Sequence, residues 1–263
     1  MANTVYANKV LESKLADLLS THLDMNQFLT IDRDLAENAG MTKTVNVYSF
    51  SGNVADLAQG AGNSSNIEIT FTGTDYTVGT TQGRFAYYDE EAMKDPQIVD
   101  MGLKAIADKM TNDLTSKAIT ALGSATGTGA LSQAGDWDFA HIVDAIAKYP
   151  YEEEGGLFIL INPAQLALLR KNLGTSLQYS EGFVRTGYVG TVCGVPVYVS
   201  KAVTAGTGFL AHREAVKCFV KKGVEVEQDR EPNTRQNFIY GRKVMLVALV
   251  DKTRVVKLTT ATH

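Results

Sequence analysis

The chain has 263 residues, 44% of them hydrophobic, with 25 Lys and Arg set against 29 Asp and Glu for a formal charge of -4. That length allows a sizeable core, in one large domain or two intertwined units of about 100 to 150 residues each. The charge excludes nucleic-acid binding driven by net charge, since the densest basic runs are only Lys221-Lys222 and Arg242-Lys243, each beside a strand-like stretch.

The N-terminal residues lack the apolar core of a secretion signal, and no run of about 18 apolar residues follows, so the expectation is a soluble chain with no membrane partner. From Val5 to Thr21, Leu11, Leu15, Leu18 and Leu19 recur at helical spacing between Lys9, Glu12, Lys14 and Asp17. This predicts an amphipathic helix whose apolar face docks elsewhere, as an arm would. Thr44 to Phe50 alternates as a strand, Gly52 to Asn66 reads as a polar loop tip, and alternation resumes at Ile67, Ile69 and Phe71. It continues through Tyr76 and Val78 to about Tyr88, predicting a long two-stranded excursion. Such a ribbon is only marginally stable alone and needs a surface to lie on.

After Asp95-Pro96 comes the strongest periodic signal, with Val99, Leu103, Ile106, Met110, Leu114, Ala118 and Ala121 stepping by four and three. A helix from Pro96 to Leu122 would span about 40 Å at 1.5 Å per residue. Gly123 to Gly135 has the small-residue composition of a mobile connector. Asp136 is placed to cap a helix that Pro150 ends, and Leu157 to Ile161 suits a buried strand. Asn162-Pro163 supplies an N-cap and first-turn proline for a helix carrying Leu166, Leu168 and Leu169, closed by Gly174. A glycine-punctuated loop, Thr175 to Gly190, leads to a strand at Gly194-Val-Pro-Val-Tyr-Val-Ser200. The remainder reads as strands at Phe209–Ala211, Val216–Val220, Val224–Glu227, Phe238–Asp251 and Arg254–Leu258. Several adjacent strands after a long helix predict an α+β arrangement, an antiparallel sheet packed on that helix.

No residue set converges on catalysis. His22, His141, His212 and His263 are scattered without metal-ligand spacing, and His212-Arg213-Glu214 falls at a strand-to-turn boundary, where polar residues are expected. Gly60-Ala-Gly62 and Gly127-Thr-Gly129 lack the third glycine, or the Lys-Ser or Lys-Thr, of a phosphate loop. No Gly-x-Ser-x-Gly elbow occurs, and Glu152-Glu153-Glu154 reads as an exposed turn. Cys193 and Cys218 sit in apolar stretches, which predicts small buried hydrophobes and no disulfide. The expectation is no enzyme, no metal and no cofactor.

The order of parts, amphipathic arm, two-stranded loop, long helix after Asp-Pro, α/β insertion and return to a sheet, resembles the major capsid proteins of tailed bacteriophages, with the fold named after the Hong Kong 97 phage. Leu157 to Leu169 looks like the family's A-domain strand, Asn-Pro and leucine-rich helix, and Gly194-Val-Pro-Val-Tyr-Val-Ser-Lys201 is similar to its Gly-x-Pro-Val-x-x-Ser segment. Phe209 to Val216, Gly223 to Arg230 and the strand at Phe238 look like the returning P-domain sheet.

The resemblance implies an N-terminal arm at 1–43, an E-loop hairpin at 44–88, a P-domain with spine helix at 89–135 and 209–263, and an A-domain at 136–208. It implies a shell built through hexamers and pentamers into an icosahedral head enclosing double-stranded DNA without sequence-specific binding. Assembly is expected in the bacterial host cytoplasm. A portal protein and a decoration protein belong to that picture, and the short stretch before the first strand implies a separate scaffolding protein. The subunit-interface candidates are Leu11, Leu15, Leu18 and Leu19 of the arm and Ile67, Ile69, Phe71 and Tyr76 of the hairpin. Val45 to Arg84 contains no lysine, which predicts no isopeptide cross-link from the E-loop. The rival readings are an encapsulin-type nanocompartment shell of the same fold and, from another class, a soluble α/β hydrolase or transferase using Asp136 to Ser200.

Overall fold

The computed structural model describes residues 8–21, 28–37, 40–54, 56–60, 62–63, 65–125, 130–133, 137–152, 155–176 and 191–260. Its longest helix, α4 (Ile98–Gly123), has 26 residues. The helix starts after Pro96, because the Asp95 carboxylate accepts the Gln97 N–H at 2.9 Å and so turns the chain first. Val99, Leu103, Ile106, Met110 and Ala118 are buried as the sequence predicts, Leu114 and Ala121 of the predicted stripe are only partly buried, and Leu122 is buried beside Ala121.

Beneath α4 lies a four-stranded sheet in the order β1 (Thr30–Asp32), β10 (Val216–Glu231), β11 (Gln236–Leu249), β4 (Gly79–Tyr88). β10 and β11 form a long antiparallel hairpin, with irregularities between Val220 and Glu225. Glycines seat the helix on this sheet. Gly83 and Gly241 are direct cross-strand partners, and a Cβ on either would come within about 3.0–3.1 Å of the Ile106 Cγ2 methyl. On the helix side, the Phe85 ring packs straight onto Gly102. Residues without side chains at these three positions let backbone and ring approach closely.

Pairing with β11 corrects the expected ribbon: 79–88 is part of the sheet under α4, and the separate two-stranded unit ends with the strand Glu68–Thr77. The physical reason is Val78, which is buried at the bend and whose N–H donates to the Met41 carbonyl at 2.7 Å.

A second, six-stranded sheet runs β5 (Ala130–Gln133), β12 (Val255–Thr260), β9 (Thr207–His212), β6 (Leu157–Ile161), β8 (Val195–Val199), β7 (Thr191–Val192). Here the expectation of one returning sheet divides, since β9 and β12 pair into the α/β part through β6. β5, on the expected connector, pairs in parallel with β12. Helices α5 (Phe139–Ala147) and α6 (Pro163–Ser176) accompany this sheet, and Trp137, Ile142, Ile159, Leu169 and Leu210 are fully buried between them. The cap of α5 is Asp138, whose side chain accepts the His141 N–H at 2.8 Å; Asp136 lies outside the described residues. Asn162 behaves as predicted, accepting from Ala164 N–H and also donating to the Val203 carbonyl at 2.6 Å. The loop 177–190 lies outside the described residues.

Of the cysteines, Cys218 is buried, whereas Cys193 is exposed. Cys193 (φ 50°) and Gly194 (φ 80°) form the two-residue turn joining β7 to β8, and such a primed turn turns its side chains outward.

Candidate assembly surface

β2 (Thr42–Ser51) and β3 (Glu68–Thr77) pair antiparallel from Thr42 opposite Thr77 to Ser51 opposite Glu68. The root of this hairpin is clamped to the body. Val45 and Val78 are buried with Leu35 of α2 (Asp34–Glu37), Phe219 and Ala248. The Tyr76 hydroxyl donates to the Leu249 carbonyl at 3.0 Å, and the Lys43 ammonium lies 3.6 Å from Asp34 and 5.6 Å from the centroid of the Phe219 ring.

Past that clamp the ribbon stands largely exposed among the described residues. Ile67, Ile69 and Phe71 are 56%, 60% and 68% exposed. Their alternation places them on one face, the register sets Tyr48 opposite Phe71 and Phe50 opposite Ile69, and Glu68, Thr70 and Thr72 occupy the other face. A ribbon of this kind, apolar on one side and threonine-rich on the other, is a surface that lowers its free energy by lying on something.

The N-terminal helix α1 (Asn8–Thr21) corrects the expectation of an outward-docking arm. Leu11 and Leu15 have no exposure and join Leu103, Ile106, Met110, Val226 and Ile239 in one cluster, with Leu18 packed against it. Leu15 fills the hollow at Gly241, where a Cβ would meet its Cδ2 at 2.9 Å. The Lys14 ammonium bonds the Asp100 carboxylate at 2.9 Å beside them. The apolar face of α1 is therefore used by the chain's own spine, because the glycine pair leaves a leucine-sized space there. The side chain of Leu19 lies outside the described residues. Of the eight interface candidates, Ile67, Ile69 and Phe71 are exposed on one face, Tyr76 is a clamp at the hairpin root, and Leu11 and Leu15 belong to the core.

His212 is buried at the end of β9, and its Nε2–H donates to the Gly155 carbonyl at 2.8 Å while Nδ1 accepts from the Glu214 N–H at 3.3 Å. It ties two turns together, a structural role. His141 is also buried, and burial holds its imidazole below the ordinary range. His22 and His263 lie outside the described residues. Among the described residues no group of three His, Cys, Asp or Glu is placed to hold a metal, and no helix is long and apolar enough to cross a membrane.

Charged groups instead brace the spine sheet. Asp89, opening α3 (Asp89–Lys94), accepts from the Asn237 amide and the Arg230 guanidinium, each at 2.6 Å, and those bonds lower its carboxyl's pKa. At the bulge, the Arg242 guanidinium and then the Lys222 ammonium bring Glu225 down to about 2.

The clamp and glycine seat were the features missed in reading the sequence. Glycines interrupting otherwise strand-like runs, at 83 and 241, were the available signal.

A long helix laid across a four-stranded sheet, a six-stranded α/β part beside it and a detached apolar hairpin together describe a subunit of a protein shell, the Hong Kong 97-type α+β capsid fold. Residues 70–258 match the sequence model of a family described as phage capsid protein. The chain belongs to that family. A major capsid protein of Staphylococcus phage phiMR11 is 24% identical over 270 residues, covering 97% of this chain and 95% of the relative. Among solved structures, the capsid of a native GTA particle superposes with a TM-score of 0.76 at 12% identity, covering 100% of this chain and 94% of that one. One from Mycobacterium phage Che8 gives 0.63 at 17% identity, with 87% and 88% covered. A virus-like particle from Pyrococcus furiosus gives 0.65 at 14%, with 95% and 98% covered. The protein is a phage major capsid component that forms a multimeric shell and resides in the virion; its family is a structural class, not an enzyme class.

Proposed function

We propose that the chain assembles through hexamers and pentamers into an icosahedral head around double-stranded DNA, in the cytoplasm of the bacterial host. A separate scaffolding protein, a portal protein and an optional decoration protein are the implied partners, and the subunit carries no catalytic activity of its own. The domain division is an arm at 1–43, an E-loop at 44–88, a P-domain at 89–135 and 209–263, and an A-domain at 136–208, with the pairing of β4 drawing the free part of the E-loop back to residue 77. DNA is enclosed without base readout, which suits a chain of charge -4 that would not grip phosphates by counterion release.

The observation that carries this reading is the uncovered apolar face of β3 at Ile67, Ile69 and Phe71. A thin subunit must bury area on its neighbours, and specific interfaces exceed about 1,000 Å². Electron microscopy of the purified chain, alone and with a scaffold, tests it. Closed shells from the parent chain and only dispersed, folded subunits from Phe71→Asp are expected; normal shells from Phe71→Asp would contradict the hairpin's role. The nanocompartment reading shares the fold, and the family match to phage capsid proteins favours the head. Mature shells should run as single subunits on a denaturing gel, since the E-loop has no lysine to cross-link.

A further inference from the structure

We propose that His212, Glu214 and Arg254 form a proton-operated latch at the joint between the two sheets, closed while the His212 imidazole is neutral and released when it takes up a proton. The inference is independent of what covers the hairpin.

The joint is a place where the chain crosses twice between the sheets. Residues 213–215 lead from β9 of the six-stranded sheet to β10 of the four-stranded one, and residues 250–254 lead back from β11 to β12. The Ala215 carbonyl ties the two crossings together, accepting the Val250 N–H at 2.8 Å and the Asp251 N–H at 3.2 Å. The turn before β6 closes on both: the Gly156 carbonyl accepts the Arg213 N–H at 3.2 Å, and the Tyr151 and Thr253 hydroxyls lie 2.9 Å apart. The two parts of the subunit also leave room to move, since a cleft of about 650 Å³ separates Ile119 and Leu122 of α4 from Leu160 and Ala202.

Arginine donates hydrogen bonds and accepts none, so the 3.3 Å contact from the Arg254 guanidinium makes Nδ1 of His212 an acceptor and puts the ring hydrogen on Nε2, facing the Gly155 carbonyl. Arg254 thereby reaches from one crossing to the other. The same guanidinium nitrogen lies 3.1 Å from Oε2 of Glu214, and that oxygen is 3.9 Å from Nδ1 of His212. One carboxylate oxygen stands between two groups that both bind it when both are cations.

A proton on Nδ1 removes the acceptor and sets the new N–H against two donors, the Arg254 guanidinium and the Glu214 N–H. The ring is only 4% exposed, so water does not stand in for the lost acceptor. The imidazolium then competes with Arg254 for Glu214. Arg254 keeps partners elsewhere, with Nε 3.3 Å from Asp251 in its own crossing and the guanidinium 5.0 Å from the centroid of the Tyr151 ring. Protonation therefore replaces a bond across the joint with bonds that leave the crossings uncoupled. Arg213, Glu152 and Lys252, the other charged groups described in these turns, are exposed, and the strand partner of His212 is the apolar Leu157. Glu153 and Glu154 lie outside the described residues.

Hydrogen–deuterium exchange of the full-length unassembled subunit, corrected for the intrinsic effect of pH, tests the latch. As pH falls from 7.5 to 5, a span in which histidines change charge, exchange in peptides covering 212–216 and 249–255 is expected to rise about tenfold while α4 stays unchanged. His212→Gln keeps a donor towards Gly155 and takes up no proton, so it is expected to show no rise. A parent chain without the rise, or an equal rise in His212→Gln, would overturn the latch. Where His212→Gln does not fold by circular dichroism, Glu214→Gln decides. It removes the carboxylate that receives the imidazolium from an exposed position, so the rise is expected at a lower pH, and an unmoved midpoint would overturn the proposal.

Discussion

The spine unit and the hairpin use the same residue types for opposite ends. Around α4, every large apolar group of the predicted stripe is satisfied inside the chain, even Leu11 and Leu15 of a helix that looks, in sequence, like a free arm. Between α1 and α4 in the chain, β3 carries Ile69 and Phe71 on an equally regular face and leaves them 60% and 68% exposed. The difference lies in what stands opposite. The spine sheet has a hollow at Gly83 and Gly241 that accepts a leucine and an isoleucine, whereas Ile69 and Phe71 of β3, beyond the root that Tyr76 clamps, stand exposed. Stability thus resides in the spine, and association in the ribbon.

That contrast can be broken at graded cost. Ile106→Asp puts a charge among the spine's buried leucines, worth several kcal/mol, and is expected to abolish soluble expression of folded subunit. Leu15→Ala empties the hollow over Gly241 and should lower unfolding stability by about 2–5 kcal/mol in urea titration of the unassembled subunit. A truly free arm would give a change near zero. Tyr76→Phe removes the hydroxyl that holds the hairpin root to Leu249, and about 0.5–1.5 kcal/mol is expected, together with lower shell yield. Phe71→Asp, on the exposed face, should change subunit stability by no more than about 0.5 kcal/mol while assembly is lost.

The smallest effect is that of pH. Glu225 titrates near 2 in the folded chain, below its ordinary value of 4.5, so the stability it contributes is present above pH 4.5 and is lost as pH falls from there towards 2. Asp89, also lowered, acts in the same direction. Glu225→Gln should therefore lower the neutral plateau of a stability-against-pH curve, leave the stability near pH 2 little changed, and so flatten the acid limb between them.

These results locate what sequence could and could not say. The stripe from Val99 to Ala118 and the Asn162-Pro163 helix start are local patterns, and both formed where their spacing placed them. The alternation at Ile67, Ile69 and Phe71 likewise reported a strand. Partnership was illegible, because period-two alternation is identical for 68–77, which pairs with β2, and for 79–88, which pairs with β11. The same holds for α1: its amphipathic face was plain, but the receptor is a space left by two glycines some 160 residues apart in the chain, which no local pattern marks.

Hydrogen–deuterium exchange, read on the same peptides in unassembled subunits and in closed shells, bears most directly on the division between a self-sufficient spine and an association ribbon. Slow exchange of α1 and α4 in both states, with β2 and β3 fast in the free subunit and strongly protected in the shell, is the predicted result. Equal protection of β2 and β3 in the free subunit, or undiminished exchange there after assembly, would contradict the account.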